Sequence, residues 1–193
     1  MQIILASASP RRKELLGMIC PSFEVVVSTV EEILPSGIAA QDAPEYLARL
    51  KACDVAKQHP DALVIGADTS VLIENEILGK PKDADDAKRM LRLLSGAQHQ
   101  VITGCCLCMG GRVHSFSQTT AVQFYPLSDR EIDHYIASGE PFDKAGAYGI
   151  QQKGCVLVEG IQGDYFNVVG LPVAKLAREI KDFLNQSAKK ETA

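Results

Sequence analysis

The sequence predicts a mixed α/β fold around one twisted, partly antiparallel sheet. Continuously apolar runs such as residues 62–67 are typical of strands buried on both faces, and stretches opened by polar cap residues alternate with them as helices. The pair Gly110-Gly111 joins two long β-like runs and predicts a hairpin. The chain has 193 residues, 46% of them apolar, which is enough for one sizeable core or for two small lobes.

Strands are expected where short apolar or β-branched stretches are bounded by glycine, proline or polar residues. Such stretches lie at residues 3–6, 23–27, 62–67, 70–73, 100–109, 112–124 and 156–158. A turn around Gly160 and Gly163 follows the last of them. We therefore expect a sheet of long and short strands.

Helices are expected where a Ser or Asp cap precedes an acidic residue at the third helical position, because both side chains satisfy free backbone N–H groups. The capping pairs are Asp42 with Glu45, Asp83 with Asp86, and Ser128 with Glu131. Ser9 caps a further helix that opens at Pro10. The remaining helices are predicted at residues 42–57, 83–94, 128–137 and 172–185.

Two details of these helices are also predicted. In the helix from Asp42, the apolar positions are Tyr46, Leu47, Leu50, Cys53 and Val55. The tail beyond the last helix, about residues 187–193, is expected to be disordered.

Acidic residues outnumber basic ones, 24 against 20, which gives a net charge of −4. This balance argues against duplex nucleic acid as a partner, because neutralising phosphates requires a basic face. No apolar run approaches the roughly 20 residues that span a bilayer, and the opening residues lack the features of a signal peptide. We therefore expect a cytoplasmic protein with no membrane partner.

The six cysteines lie in apolar stretches rather than at the spacings of a disulfide framework. Cys105 and Cys108 form a CxxC, but in a β-like run, whereas redox-active pairs open a helix. No second pair or His cluster completes a zinc site. We expect reduced, buried thiols and structural roles for His59, His99, His114 and His134.

A first polar cluster stands where the first strand meets the first helix. Ser7, Ser9, Arg11 and Arg12 place hydroxyls, backbone N–H groups and guanidinium groups around one helix N-terminus. A helix N-terminus is an unfavourable place for cations unless an external anion compensates their charge, so the cluster indicates an anion site. The alternative is an ordinary N-cap beside surface arginines.

A second cluster is acidic. Glu31 and Glu32 follow a strand, and Asp68 comes directly after the apolar run 62–67. A carboxylate at the end of a buried strand calls for a cation, and several carboxylate oxygens together suit a hard ion such as Mg²⁺ or Mn²⁺. The alternative is a set of solvated loop carboxylates.

Residues 138–154 form a glycine-rich segment that is too long for a simple turn. Its glycines let the backbone approach a ligand, Tyr148 offers a flat face, and Gln151 both donates and accepts hydrogen bonds. Further candidate phosphate partners from elsewhere in the chain are Lys51, Lys80 and Lys82. The alternative for each lysine is a solvated surface group.

These clusters belong to a series of motifs that resembles the Maf family of nucleotide pyrophosphatases along essentially the whole chain. The shared segments are LASASPRR (5–12), VEE (30–32), ARLKA (48–52), GADT (66–69), GKP (79–81), LSG (94–96) with His99, DKAGAYGIQ (143–151) and VGLP (169–172). The resemblance implies an α/β fold of the Maf and inosine-triphosphatase type, in which a single domain, residues 1–193, has two lobes that flank a deep nucleotide cleft. It also implies a homodimer.

The activity that the resemblance implies is metal-dependent hydrolysis of a nucleoside triphosphate to the monophosphate and pyrophosphate. Arg11, Thr69 and Gln151 resemble the branch of the family that acts on dTTP and UTP, and would determine specificity. By its motif position, Asp68 would accept a proton. Together with the residue-level reasoning, this assigns the metal to Glu31, Glu32 and Asp68, and the phosphates to Ser7, Ser9, Arg12, Lys51, Lys80 and Lys144.

The predicted function is therefore hydrolysis of dTTP and UTP, or of modified pyrimidine triphosphates, to remove non-standard or excess nucleotides. Attack at the α-phosphorus requires positioned water and charge neutralisation, which the acidic and basic sets supply. One alternative is a nucleotide-binding regulator, for instance of cell division, without significant catalysis. Another is an interaction module with no small ligand, which leaves Asp68 at a buried strand end unexplained.

Overall fold

A computed structural model describes residues 1–191 and confirms a mixed α/β fold. The strands are β1 (Ile3–Leu5), β2 (Glu24–Val25), β3 (Leu63–Ile73), β4 (Glu76–Leu78), β5 (Gln98–Met109), β6 (Arg112–Phe124) and β7 (Val158–Gln162). The helices are α1 (Pro10–Gly17), α2 (Ala43–Ala56), α3 (Ala84–Leu94), α4 (Asp129–Ala137), α5 (Tyr165–Val169) and α6 (Val173–Glu191). Short 3₁₀ helices lie between them, mostly in residues 140–157.

The strands form one mixed sheet in the order β2-β1-β3-β5-β6-β7, with β4 paired to β3. β1 runs parallel to both neighbours, so Leu5 is in register with Val25 and with Ile65. β4 is antiparallel to β3, and β7 is antiparallel to β6. The predicted partly antiparallel sheet is therefore confirmed.

The predicted hairpin between β5 and β6 is also confirmed. Gly110 and Gly111 connect the strands with φ of 57° and 75°, both in the left-handed region. A two-residue hairpin turn of type I′ needs positive φ at both central positions, which glycine adopts without steric cost.

The chain divides into two compact units. Unit 1 comprises Met1–Asp68, Thr103–Gln118 and the chain from Gly170 onward, and unit 2 comprises Thr69–Ile102 and Thr119–Val169. The nucleotide cleft implied by the family resemblance stays a prediction.

In unit 1, α2 lies directly on the strands. A Cβ on Gly66 of β3 would be 2.3 Å from the carbonyl oxygen of Ala48, and a Cβ on Gly104 of β5 would be 2.3 Å from the backbone nitrogen of Glu45. Such close approach leaves room only for small side chains, so α2 buries Ala43, Pro44, Ala48, Ala52 and Val55. The prediction of Val55 is confirmed, but Tyr46, Leu47, Leu50 and Cys53 are only half-buried.

Three of the four predicted caps are confirmed. Ser9, Asp83 and Ser128 each accept a hydrogen bond from the backbone N–H three residues later. The capping box predicted for Asp42 and Glu45 is wrong. A 3₁₀ turn precedes α2 and gives Asp42 a helical backbone, and the Glu45 carboxylate instead accepts a hydrogen bond from Ser115 Oγ at 2.6 Å.

Unit 2 contains elements that the sequence pattern missed. β3 turns into β4 through Glu74 and Asn75, with φ of 48° and 70°, although neither is glycine. The strand predicted at 156–158 is wrong, because a 3₁₀ helix covers Gln152–Leu157 and β7 begins at Val158. The predicted turn at Gly160 lies within β7, and α5 was not predicted.

The last helix is longer than expected. It runs to Glu191 rather than ending near Asn185. Of the tail predicted to be disordered, Thr192 and Ala193 lie outside the described residues.

All six cysteines are free. Cys20, Cys105, Cys106 and Cys108 are buried, as predicted, and burial raises the pKa of Cys105 to about 12. Cys155 is exposed, contrary to the prediction, because it lies on the 3₁₀ segment rather than in a strand.

Candidate active site

The turn between β1 and α1 brings the two predicted serines together. Ser9 Oγ accepts a hydrogen bond from the Arg12 backbone N–H at 3.4 Å, and Ser7 Oγ accepts one from the Ser9 N–H at 3.3 Å. Pro10 occupies the first helical position, where its missing N–H is not needed. The predicted pair of hydroxyls therefore lies at the N-terminus of α1.

Arg12 points back across this turn. Its Nε donates to the Gly170 carbonyl at 3.0 Å, and its Nη1 donates to Ser7 Oγ at 3.2 Å. Burial lowers the pKa of Arg12, and the nearby Asp68 carboxylate acts in the opposite direction. The structure thus holds a guanidinium charge in a fixed orientation beside the serines.

Lys51 joins two of the predicted acidic residues. Its Nζ lies 2.7 Å from Asp68 Oδ1 and 2.8 Å from Glu32 Oε2. The Lys51 and Asp68 side chains are 14% and 15% exposed, whereas Glu32 is 49% exposed. One lysine predicted for phosphate binding and two carboxylates predicted for metal binding therefore form one cluster, with Asp68 at its protected end.

The chain segment that carries Glu32 is anchored to α2. Ser28 Oγ donates to Asp54 Oδ2 at 2.8 Å and accepts a hydrogen bond from the Val30 N–H at 3.2 Å. Asp54 lies three residues after Lys51, so both side chains project from one side of α2. The helix thus holds both ends of residues 28–32.

The carboxylates of Glu32 and Asp68, which meet at Lys51, are ligands of the type that a hard divalent cation prefers. Mg²⁺ in nucleotide enzymes is commonly held by one or two carboxylates together with substrate phosphates. Among the side chains that the structure describes, residues 1–186, no three His, Cys, Asp or Glu form a metal-binding group, and Glu31 is exposed. The donor set fits a metal that arrives with a triphosphate better than a metal in an all-protein cage.

Four predicted site residues lie in unit 2, namely Thr69, Lys80, Lys144 and Gln151. Thr69 follows Asp68 on β3. Lys80 is exposed in the turn after β4, where the Gly79 carbonyl accepts a hydrogen bond from the Gly146 N–H at 3.0 Å. This bond ties the GKP turn to the segment that continues into Gln151, which is half-buried.

Lys144 makes contacts within its own loop. Its Nζ donates to the Glu140 carbonyl at 2.7 Å and to Asp143 Oδ1 at 2.7 Å. Its side chain is 12% exposed. These contacts give Lys144 a structural role, and its phosphate contact stays a prediction.

Sequence reasoning gave no role to Glu140 or to Tyr135. The Glu140 carboxylate accepts hydrogen bonds from the backbone N–H groups of Lys153 and Gly154 and from the Tyr135 hydroxyl. Glu140 stood within the glycine-rich segment, but nothing in its spacing indicates partners on residues 13 and 14 positions away.

His99 lies in the core of unit 2, as the structural role predicted for it requires. It is 2% exposed, its ring stands edge-on to Phe124 and Tyr148, and Nε2 lies 2.8 Å from the Tyr148 hydroxyl oxygen. Nδ1 has no hydrogen-bond partner among the described residues. Burial lowers the pKa of His99 to about 4, so the ring is neutral at pH 7.

This burial predicts a pH dependence of stability. Between pH 6.5 and 4 the unfolded chain binds a proton at His99 and the folded chain does not, so stability falls as the pH falls through this range. The expected loss is about 3 kcal/mol, at roughly 1.4 kcal/mol per pH unit. Urea unfolding of the wild type and of His99→Phe at pH 7 and pH 4 measures it. Equal pH sensitivity of the two proteins would contradict the assignment to His99.

Among the described residues, no helix has the length and apolar character needed to cross a membrane.

Comparison with known proteins places these motifs in context. A family model described as "Maf-like protein" matches residues 2–183. A Bacillus cereus protein named dTTP/UTP pyrophosphatase is 52% identical over 94% of this chain and 95% of its own. A Bacillus cytotoxicus protein of the same name is 53% identical, with the same coverage. Among solved structures, the Staphylococcus aureus Ham1 protein aligns with a TM-score of 0.49 and 18% identity, over 64% of this chain and 72% of that chain.

Proposed function

The chain belongs to the Maf family, and we propose that it is a nucleoside triphosphate pyrophosphatase that hydrolyses dTTP and UTP to the monophosphate and pyrophosphate. The observation that carries the proposal is the lysine nitrogen of Lys51, which contacts Glu32 and Asp68 together next to the Arg12 charge. The names of relatives at about half identity support the choice of substrate. Removal of non-standard or excess pyrimidine nucleotides is the proposed role.

Asp68 is the proposed general base. It stands after five fully buried residues of β3, and Lys51 orients its carboxylate through a 2.7 Å hydrogen bond. A carboxylate held in this way takes the proton of a water that attacks the α-phosphorus. Because phosphoryl transfer is mostly positioning and electrostatics, the fixed geometry of Asp68 is its main contribution.

The basic groups are proposed to neutralise the triphosphate. Arg12 is preorganised by Ser7 and by the Gly170 carbonyl, so its charge needs no reorganisation when pyrophosphate leaves. Ser7 and Ser9 add hydroxyls at a helix N-terminus, where the dipole favours anions. Lys80, Lys51 and, in addition to its structural contacts, Lys144 complete the proposed phosphate set.

A divalent metal, Mg²⁺ or Mn²⁺, is the proposed cofactor. The carboxylates of Glu32 and Asp68, which both lie at Lys51, would hold it, and Glu31 is the proposed third residue. The bound metal would supply Lewis-acid neutralisation of charge on the phosphate oxygens. Glu32 and Asp68 thereby link the metal, the base and Lys51 in one cluster.

We also propose a cytoplasmic homodimer. Free thiols are typical of a reducing compartment. β7 is an edge strand with exposed residues, including Ile161, and such an edge can be covered by a second copy of the chain.

The test is a pyrophosphate-release assay on the purified protein with dTTP, UTP, CTP and purine triphosphates, with Mg²⁺ or Mn²⁺. We expect dTTP and UTP to give pyrophosphate and the monophosphate in equal amounts, and EDTA to stop the reaction. Release of orthophosphate would rule out attack at the α-phosphorus. Nucleotide binding without any product would favour the regulator instead.

A further inference from the structure

Gln151 lies in a loop, residues 149–154, whose two ends meet. A Cβ on Gly154 would be 2.1 Å from the Gly149 carbonyl oxygen, so the two backbones are in direct contact. A Cβ on Gly149 would be 2.6 Å from Lys144 Cε. Gly154 has no space for a side chain, whereas a side chain at Gly149 would displace the end of Lys144. The loop is closed at its neck, with Gln151 between the two glycines.

A single carboxylate holds this neck. Glu140 Oε2 accepts a hydrogen bond from the Lys153 N–H at 3.1 Å, and Oε1 accepts one from the Gly154 N–H at 3.3 Å. Oε1 also accepts from the Tyr135 hydroxyl at 3.2 Å, and that hydroxyl oxygen accepts from the Gly149 N–H at 3.1 Å. Both ends of the loop are therefore tied to Glu140, one directly and the other through Tyr135.

The anchor is itself held in place. Tyr135 projects from α4 and is 3% exposed, and burial raises its pKa, so it stays a hydroxyl that can donate. The Glu140 backbone N–H donates to Ser138 Oγ at 3.3 Å, and its carbonyl receives the Lys144 ammonium. Hydrogen bonds to a carboxylate are about twice as strong as neutral ones, so the three that Glu140 accepts hold the two ends of the loop together.

We propose that Glu140, acting with Tyr135, is a positioning residue for pyrimidine recognition, because it fixes the backbone on which Gln151 meets the base. The inference rests on the proposed function and on the specificity role that the family resemblance implies for Gln151, taken here as a contact with the base. A residue on a flexible loop loses conformational entropy when it binds a ligand, whereas a residue on a loop that is already ordered loses less. Glu140 would therefore act on the affinity for the pyrimidine nucleotide rather than on the chemical step.

Glu140→Gln tests this with little change of shape. The amide offers one oxygen to the three donors that the carboxylate now accepts, and its NH₂ group opposes a backbone N–H. We expect the affinity for a non-hydrolysable UTP analogue, measured by calorimetry with Mg²⁺, to fall about tenfold. The affinity for the matching CTP analogue should fall by a similar factor, because the Gln151 amide can pair with either base, and kcat should stay within about threefold of the wild-type value.

A double-mutant cycle separates positioning from a purely structural role. In a Gln151→Ala background, Glu140→Gln should change the affinity less than about twofold, because no amide remains to be positioned. Tyr135→Phe, which keeps the ring, should weaken binding in the same Gln151-dependent way if Glu140→Gln does not fold. Glu159→Gln, an exposed carboxylate on β7, is the control and should leave affinity unchanged.

The outcomes separate this inference from the proposed function. An equal loss of affinity in both backgrounds would overturn the positioning role even if pyrophosphate release is normal. Coupling of Glu140 to Gln151 without any pyrophosphate release would support the inference and refute the enzyme activity. Failure of the wild type to bind the UTP analogue would refute both.

Discussion

Asp68→Asn is expected to lower the turnover of UTP by about 10²–10⁴-fold, the usual range for loss of a general base. Asn keeps the shape of the side chain, and its oxygen can still accept the hydrogen bond from Lys51, but it cannot take a proton from water. The melting temperature should therefore stay close to the wild-type value, and turnover should stay low even at saturating UTP and Mg²⁺, so that a weaker metal contact at residue 68 does not account for the loss. Steady-state kinetics with pyrophosphate detection measures the effect.

A matched control lies just before the same strand, in whose middle Asp68 stands. Asp61 is exposed just before β3, so Asp61→Asn makes the same charge change without touching the cluster and should leave turnover unchanged. If Asp68→Asn retained full turnover, Asp68 would only orient Lys51. Glu32, the other carboxylate on that lysine, would then be the base.

Arg11→Ala is expected to narrow the preference for UTP over CTP by about 10–100-fold. Uracil presents a carbonyl at C4, whereas cytosine presents an amino donor. A guanidinium only donates hydrogen bonds, so it can pair with the uracil carbonyl but would face the cytosine amino group donor to donor. An unpaired polar group in a closed site discriminates strongly between two substrates. Gln151 can rotate its amide to suit either base, so Gln151→Ala should weaken both substrates evenly.

The measurement is the ratio of kcat/KM for UTP to that for CTP. Lys13→Ala removes a charge from an exposed position in the same helix turn as Arg11 and should leave the ratio unchanged. Arg11 stands at a helix N-terminus and could bind phosphate instead. In that case Arg11→Ala would lower kcat/KM for both nucleotides by a similar factor, and the base-reading role would be wrong.

The sites of the proposed chemistry could be placed on the chain from the sequence to different degrees. Ser7 and Ser9 were predictable together, because both lie in one turn and one of them caps the helix. Glu32, Lys51 and Asp68 were each predictable as candidates. Their meeting at one lysine nitrogen was not, because it joins a loop, a helix and a strand that are far apart in the chain.

Features that depend on a few neighbouring residues followed from the sequence. The caps at Ser9, Asp83 and Ser128, the Gly110-Gly111 turn and the buried run of β3 all came out as predicted. The caps pair a donor and an acceptor within about four residues, and the turn depends on two adjacent glycines. The apolar pattern of β3 lies along a single strand.

Features that depend on packing between distant segments required the three-dimensional structure. α2 buries its alanines against the sheet because Gly66 and Gly104 let the helix backbone contact the strands. Glu45 accepts a hydrogen bond from Ser115 instead of forming the predicted capping box. Glu140 accepts hydrogen bonds from the backbone of Lys153 and Gly154, which lie 13 and 14 positions further along the chain. Close packing and the pairing of buried polar groups are settled by which surfaces meet, and a local pattern carries no information about a surface that arrives from elsewhere in the chain.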